Sequence, residues 1–294
     1  METQLLQAFA AVAESASFSV AAEELHLTQP AVSKRIAALE QQLDCRLFDR
    51  IGRQIALTEA GRALLPHAQA VLQELRAARR HIQDLRGGVT GLLSMGISHH
   101  MGLHRLPPLL QQFTQRYPEV RLDIDFLDSE EAYERVLLGE VELGVITLAP
   151  EDKPPLQQTT LWRDELVVAV ARNHPLAGQQ KVNPRALSQH RAILPGLNTY
   201  TGRIVKELFD QQRLPLDVSM ATNYLETIKV MVSIGLGWSV LPKTLLDDSL
   251  CGLTLNGLKL SRNLGVVTHR ERSLSNAAAA FLQLLMAART NTAQ

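Results

Sequence analysis

The stretch FSVAAEELHLTQPAVSKRIAALEQQLDCRLFDRIGRQIALT, residues 18–58, reads as two helices joined by a tight turn and followed by a hairpin. Phe18, Ala21, Ala22 and Leu25 recur at helical spacing, and Leu27 ends the run. Thr28 then caps a second helix entered through Pro30. Its hydroxyl accepts from a first-turn amide, and proline lacks the amide that a first turn leaves unpaired anyway. This helix buries Val32, Ile36, Leu39 and Leu43, which leaves Gln29, Pro30, Ser33, Lys34, Ala37 and Gln41 on the opposite face with Arg35 beside them. Small residues let such a face sink into the major groove, where Gln, Ser and Lys reach base edges. Leu47-Phe48 and Ile55-Ala56-Leu57 flank the turn Arg50-Ile51-Gly52-Arg53, so that Arg50 and Arg53 stand at a hairpin tip suited to the DNA backbone or minor groove. The expectation is a winged helix-turn-helix on double-stranded DNA. A three-helix core with a merely solvated polar face is the plain alternative.

Residues 28–61, TQPAVSKRIAALEQQLDCRLFDRIGRQIALTEAG, closely resemble the DNA-binding segment of LysR-type transcriptional regulators, whose pattern is TQPAxSxxIxxLExxLGxxLFxRxxRxxxLTxAG. Asp44 departs from it where the family usually has glycine, which puts the local turn in question. Order and length suit that family along essentially the whole chain. The resemblance implies a winged helix-turn-helix over 1–58, a linker and dimerisation helix over 59–88, and an effector-binding domain over 89–294. It further implies a homodimer or homotetramer on an interrupted inverted repeat, a small-molecule effector, and RNA polymerase as a partner.

After the hairpin, Thr58 caps a long helix in which Leu64, Ala68, Val71, Leu75, Ala78, Ile82 and Leu85 repeat in four-three steps until Gly87-Gly88 stops it. That spacing is a coiled-coil seam, and Leu64, Val71, Leu75 and Ile82 are the expected dimer contacts. Pro66 removes one helical hydrogen bond and predicts a bend in the first turns. Packing of this helix on its own domain is the alternative.

From Val89 the period changes to alternating strands and helices, the mark of an α/β domain. Strands are expected at Gly91–Ile97, Val120–Phe126 and Leu143–Thr147, with helices at Leu103–Arg116 and Ser129–Leu138. A second series runs from LVVAVA near Glu165 through Ala192–Leu194, the helix 202–212, Val218–Ala221, the helix 226–234 and Trp238–Leu241. Leu264–Thr268 and the helix 276–286 find no partner in that series. The resemblance returns them to a first lobe of 89–161 and 264–294, leaving 162–263 as a second lobe, in a domain like a two-lobed periplasmic binding protein. The residues alone leave a single continuous sheet open.

In such a fold the ligand lies where strand ends and helix N-termini of both lobes meet. Ser98-His99-His100 follow the opening strand, Asn198-Thr199-Tyr200-Thr201 stand at the matching turn of the second lobe, and Asn223 precedes a helix. Ser129 and Thr147 face the same cleft if the family layout holds. Any one of these serves equally as a plain helix cap. Thr147 stands where some aromatic-acid-sensing relatives carry arginine, so no strong carboxylate clamp is expected there and a small polar metabolite is preferred.

His100 and His104 are four apart and present one helix face to a metal, yet no acidic residue or cysteine lies near them in sequence. A cofactor or metal is not expected, and a metal-responsive regulator remains the lesser reading. No nucleophile elbow, phosphate loop or dinucleotide fingerprint occurs, which argues against an enzyme. The 294 residues carry no net formal charge, and residues 1–60 hold five Lys/Arg against eight Asp/Glu, a balance that argues against a non-specific nucleic-acid binder but leaves sequence-specific binding open. Cys45 and Cys251 lie far apart, which suits reduced thiols; a thiol sensor needs two cysteines in its sensor domain. Without an apolar span or a basic leader before an apolar core, a cytoplasmic protein free of membrane is expected.

Overall fold

The computed structural model describes residues 2–51, 54–84 and 87–291. It divides into two units, Met1–Gly87 and Gly88–Gln294.

In the first unit, α1 (Thr3–Ser15), α2 (Phe18–Glu24) and α3 (Gln29–Leu43) precede a hairpin of β1 (Phe48–Ile51) and β2 (Gln54–Leu57), and α4 (Glu59–Asp84) follows. The helix α1 is not among the expected elements. It buries Leu5, Leu6, Ala8, Phe9 and Val12 on one face. Val32, Ile36 and Leu39 of α3 meet that face in a common core, while Leu43 is only partly buried. Rings of Phe9 and Phe18 lie 5.4 and 6.1 Å from that of Phe48, which fastens the hairpin to the helices. The strands pair antiparallel from Phe48 opposite Leu57 to Ile51 opposite Gln54.

Thr58 begins α4 as expected, its Oγ1 accepting from Gly61 N at 3.0 Å, and Pro66 lies inside the helix. The apolar run along α4 serves two faces. Leu64 and Leu65 are partly buried against the core that Ala68 and Leu72 join. Val71, Leu75 and Ile82 remain 47%, 42% and 63% exposed. Leu64 is partly buried against its own domain. Residues at i and i+4 share a face, so the stripe 68, 72 overlaps the stripe 71, 75, 82, and in the sequence the two merge. Leu85 lies outside the described residues.

The second unit opens with β3 (Gly91–Ile97), α5 (His99–His104), α6 (Pro107–Arg116), β4 (Val120–Phe126), α7 (Ser129–Leu138) and β5 (Leu143–Thr147). The single helix expected over Leu103–Arg116 is two. Pro107 and Pro108 donate no amide hydrogen and cannot continue the hydrogen-bond ladder of α5, whereas at the first turn of a new helix that hydrogen is not needed, so the chain restarts at Pro107. The chain continues with β6 (Leu156–Ala171), β7 (Lys181–Val182), α8 (Pro184–Leu187), β8 (Ala192–Leu194), α9 (Tyr200–Gln211), β9 (Val218–Ala221), α10 (Leu225–Ser233) and β10 (Ser239–Pro242). The last elements are β11 (Leu250–Leu255), β12 (Leu260–His269) and α11 (Asn276–Asn291). The strand expected near Glu165 begins nine residues earlier, and β7, α8 and β11 were not foreseen.

The strands follow the order β4-β3-β5-β12-β6-β11-β7, with β10 also against β6, while β8 and β9 form a parallel pair. One hydrogen-bonded path thus runs through the unit, but its side chains pack in separate cores. Leu93, Met95, Ile97, Phe113, Val145 and Phe281 centre one, and Val168, Val170, Val205, Phe209, Trp238 and Val240 centre the other. The long antiparallel strands β6 and β12 serve both. Trp162 and Leu264 belong to the first core, and Leu166 and Val168 to the second. Their register shifts between Leu264 and Gly265. The result is two α/β lobes on a shared pair of crossover strands.

Candidate functional site

Two surfaces carry the expected site residues. In the first unit, Ser17 Oγ accepts from Val20 N at the start of α2, and Thr28 Oγ1 accepts from Ala31 N at the start of α3. Between these helices the chain turns through His26 at φ 53°. Gln29, Pro30 and Lys34 are exposed and Ser33 is half-buried. Gln29 Nε2 donates to Ser33 Oγ at 3.0 Å, which sets the amide along the exposed face. Arg35 is turned away from that group and donates to Gln4 Oε1 of α1 at 3.1 Å. Arg50 lies on β1 opposite Ile55. Arg53 is outside the described residues.

Residues behind this face carry motif positions whose tertiary contacts sequence reasoning did not foresee. Glu40 Oε1 accepts from Leu47 N at 2.8 Å and Phe48 N at 3.4 Å, so one carboxylate of α3 holds the entry to the hairpin. Thr58 Oγ1 also donates to Arg46 O at 2.7 Å. A Cβ on Gly61 would lie 2.3 Å from Leu47 O, so the close approach of α4 to the hairpin requires glycine there. A polar run with a capping signal was visible in the sequence; the distant backbone group that each motif residue meets was not.

The second surface is the cleft between the lobes of the C-terminal unit. Ser98, His99, His100, Ser129, Thr147, Thr199, Tyr200, Thr201 and Asn223 all line it. Asn198 is exposed and does not line it. Several of these groups are already engaged. Ser129 Oγ accepts from Thr147 N at 3.1 Å, and Thr199 Oγ1 caps α9 by accepting from Gly202 N at 3.1 Å. Asn223 Oδ1 accepts from Gly196 N at 2.9 Å. Buried Ser98 Oγ and His100 Nδ1 have no hydrogen-bond partner among the described residues, while His100 Nε2 lies 3.3 Å from Asp164 Oδ2.

The cleft also contains charges that the sequence reading missed. Arg262 on β12 stands opposite Asp164 on β6, and its Nη2 donates to Asp164 Oδ2 at 3.0 Å while Nη1 donates to Thr201 Oγ1 at 3.1 Å. Arg105 Nη2 donates to Asp164 Oδ1 at 3.1 Å. Burial opposes ionisation of Asp164, but His100 and Arg262 outweigh it and hold the carboxyl well below the usual carboxylate range. Burial pushes the His100 imidazole below its ordinary value; Asp164 raises it and Arg262 lowers it further. Carboxylates of the first lobe reach the second. Asn223 Nδ2 donates to Asp128 Oδ2 at 2.6 Å, and Tyr200 N donates to Glu130 Oε1 at 2.5 Å. Lys153 Nζ donates to the Tyr200 hydroxyl at 2.8 Å. Such a cleft can bind a small polar molecule and can hold the lobes at one angle.

Neither Cys45 nor Cys251 forms a disulfide, and no helix among the described residues is long and apolar enough to cross a membrane.

Residues 3–62 match the family model of bacterial regulatory helix-turn-helix proteins of the lysR family, and residues 86–289 match that of the LysR substrate binding domain. An uncharacterized HTH-type transcriptional regulator in the ibpB-leuC intergenic region of Azotobacter vinelandii is 64% identical over 108 residues, 37% of this chain and 75% of that protein. The uncharacterized HTH-type transcriptional regulator YybE of Bacillus subtilis is 31% identical over 289 residues, 97% of this chain and 98% of its own. Among solved structures, full-length CbnR complexed with its target DNA superposes with a TM-score of 0.68 at 22% identity, covering 98% of this chain and all of that one.

Proposed function

The chain belongs to the LysR family of bacterial transcriptional regulators, and from that premise we propose how its own residues perform the family's work. It is a DNA-binding regulator with an effector-binding domain. The exposed face of α3 enters the major groove, with Gln29, Ser33 and Lys34 reading base edges and Pro30 keeping the approach close. The hairpin arginines Arg50 and Arg53 grip the flanking backbone or minor groove. Arg35 braces α3 against α1 through Gln4 and contributes less to DNA than its place in the sequence suggests. Val71, Leu75 and Ile82 join two copies along α4, so that paired recognition helices match an inverted repeat.

The effector is a small polar metabolite held between the lobes. The observation that carries this reading is the buried, unpartnered Ser98 Oγ in the cleft. Buried polar atoms nearly always have partners, and a ligand with hydrogen-bonding groups supplies one to Ser98. Contact with RNA polymerase completes the proposed output. The test is a thermal-shift screen of polar metabolites on the full chain, repeated with Ser98→Ala. A hit present at 100 times its dissociation constant stabilises the protein by about 2.7 kcal/mol, and the variant loses that gain. A hit that stabilises the variant equally places the ligand elsewhere.

A further inference from the structure

Beside the cleft, α5 of the first lobe meets α10 of the second. His104 Nε2 lies 2.6 Å from Glu226 Oε1, across 122 residues of sequence. The rings of His100 and His104 have centroids 4.9 Å apart, as expected for side chains one helical turn apart. One donor atom from each of His100, His104 and Glu226 can be chosen so that all lie within 4.8 Å of one another. The missing acidic ligand in the sequence around His100 is therefore supplied by the other lobe. His100 is 6% exposed, and its Nδ1 has no hydrogen-bond partner among the described residues.

We propose that His100, His104 and Glu226 bind a divalent transition cation, zinc or a close substitute, that ties the two lobes together. Two imidazoles and one carboxylate are a ligand set that zinc takes with a water in the fourth position. Nickel and cobalt accept the same donors. Asp164 Oδ2 is 3.3 Å from His100 Nε2 and supplies the carboxylate neighbour that metal-bound imidazoles usually have. The cation replaces a hydrogen bond that spans the lobes with coordinate bonds that do the same. Its binding favours the lobe angle seen here. This site stands whether or not the cleft takes a metabolite.

The test uses the untagged full chain, stripped with a chelator and titrated with Co²⁺, whose visible absorption reports a tetrahedral site, then back-titrated with Zn²⁺. One Co²⁺ per chain and displacement by Zn²⁺ are expected. His104→Ala and Glu226→Gln each weaken binding by about 100-fold or more, since groups merely behind a ligand already govern about 10–100-fold. Glu226→Gln keeps the side-chain shape, and circular dichroism on both variants separates lost ligands from lost folding. His174→Ala, which removes a ring of a second histidine pair on His190, binds as wild type. Absence of the cobalt band in the wild-type protein overturns the proposal, as does wild-type affinity in both ligand variants. Operator binding by the metal-free protein is measured alongside, so that a failed DNA reading is not mistaken for a failed metal site.

Discussion

Asp44 ends α3 at φ 50°, in the left-handed region that costs an L-residue about 1–2 kcal/mol and that short polar side chains tolerate best. The helix thus stops where the family pattern places glycine, without one. Asp44→Val lowers stability by about that amount in chemical denaturation of the full chain, whereas Asp44→Gly does not. Gly61→Ala forces a methyl onto Leu47 O and costs about 1–3 kcal/mol, a clash that turn propensity does not foresee. At the DNA face, Ser33→Ala and Lys34→Ala weaken specific binding by about 1–3 kcal/mol where the lost contact is bidentate, while Arg35→Ala changes it less. Fluorescence anisotropy on operator and scrambled DNA distinguishes these; equal effects at all three positions refute the assignment of the face. At this scale the sequence was legible where chemistry is local. Thr28, Thr58 and Thr199 are caps because a cap meets an amide three residues on. Arg262 with Asp164, and His104 with Glu226, were not legible, because each pair joins residues about a hundred positions apart.

Among the elements, α4 shows how one helix reads as two things. A heptad count finds a seam, but Ala68 and Leu72 close the first unit's core while Val71, Leu75 and Ile82 stay exposed. The two stripes separate by mutation. Val71→Glu with Leu75→Lys yields monomers by analytical ultracentrifugation, with little change in melting temperature. Leu72→Ala keeps the oligomer and costs about 2–5 kcal/mol of stability. A double mutant that sediments as wild type removes α4 from the dimer interface. Strands with strict alternation or continuous apolar runs, such as β4 and β5, were placed to the residue. The break between α5 and α6 was missed because apolar periodicity carries through Leu106 into Leu109 and Leu110, and only the paired prolines mark it. The short β7 and α8 lie in a polar stretch that gives no periodic signal.

At the scale of the whole molecule, the chain carries both a DNA-binding unit and a two-lobed effector-binding unit. Effector binding reaches DNA only as a coupling free energy, usually about 1–3 kcal/mol, because a ligand can bias the lobe angle by no more than its preference for one angle. Asn223 holds Asp128 across the cleft, so Asn223→Ala relaxes the ligand-free lobe angle. Basal operator binding persists in that variant while the response to an effector shrinks, read by anisotropy with and without the compound. The two-lobe layout was drawn from resemblance, since a hydrogen-bonded path continuous through β12 and β6 looks in sequence like one sheet. The separate cores become visible only when residues far apart in the chain are packed. The central claim is that the polar face of α3 reads a specific DNA sequence. Its most direct measurement is the affinity of the purified full chain for the DNA flanking its own gene against scrambled DNA of equal length, at fixed salt. The account predicts protection of two half-sites about 10 base pairs apart or a multiple of that, at least about 10³-fold tighter than the scrambled control, with the preference reduced in Lys34→Ala. Equal affinity for both DNAs, or a preference untouched by Lys34→Ala together with Ser33→Ala, contradicts it.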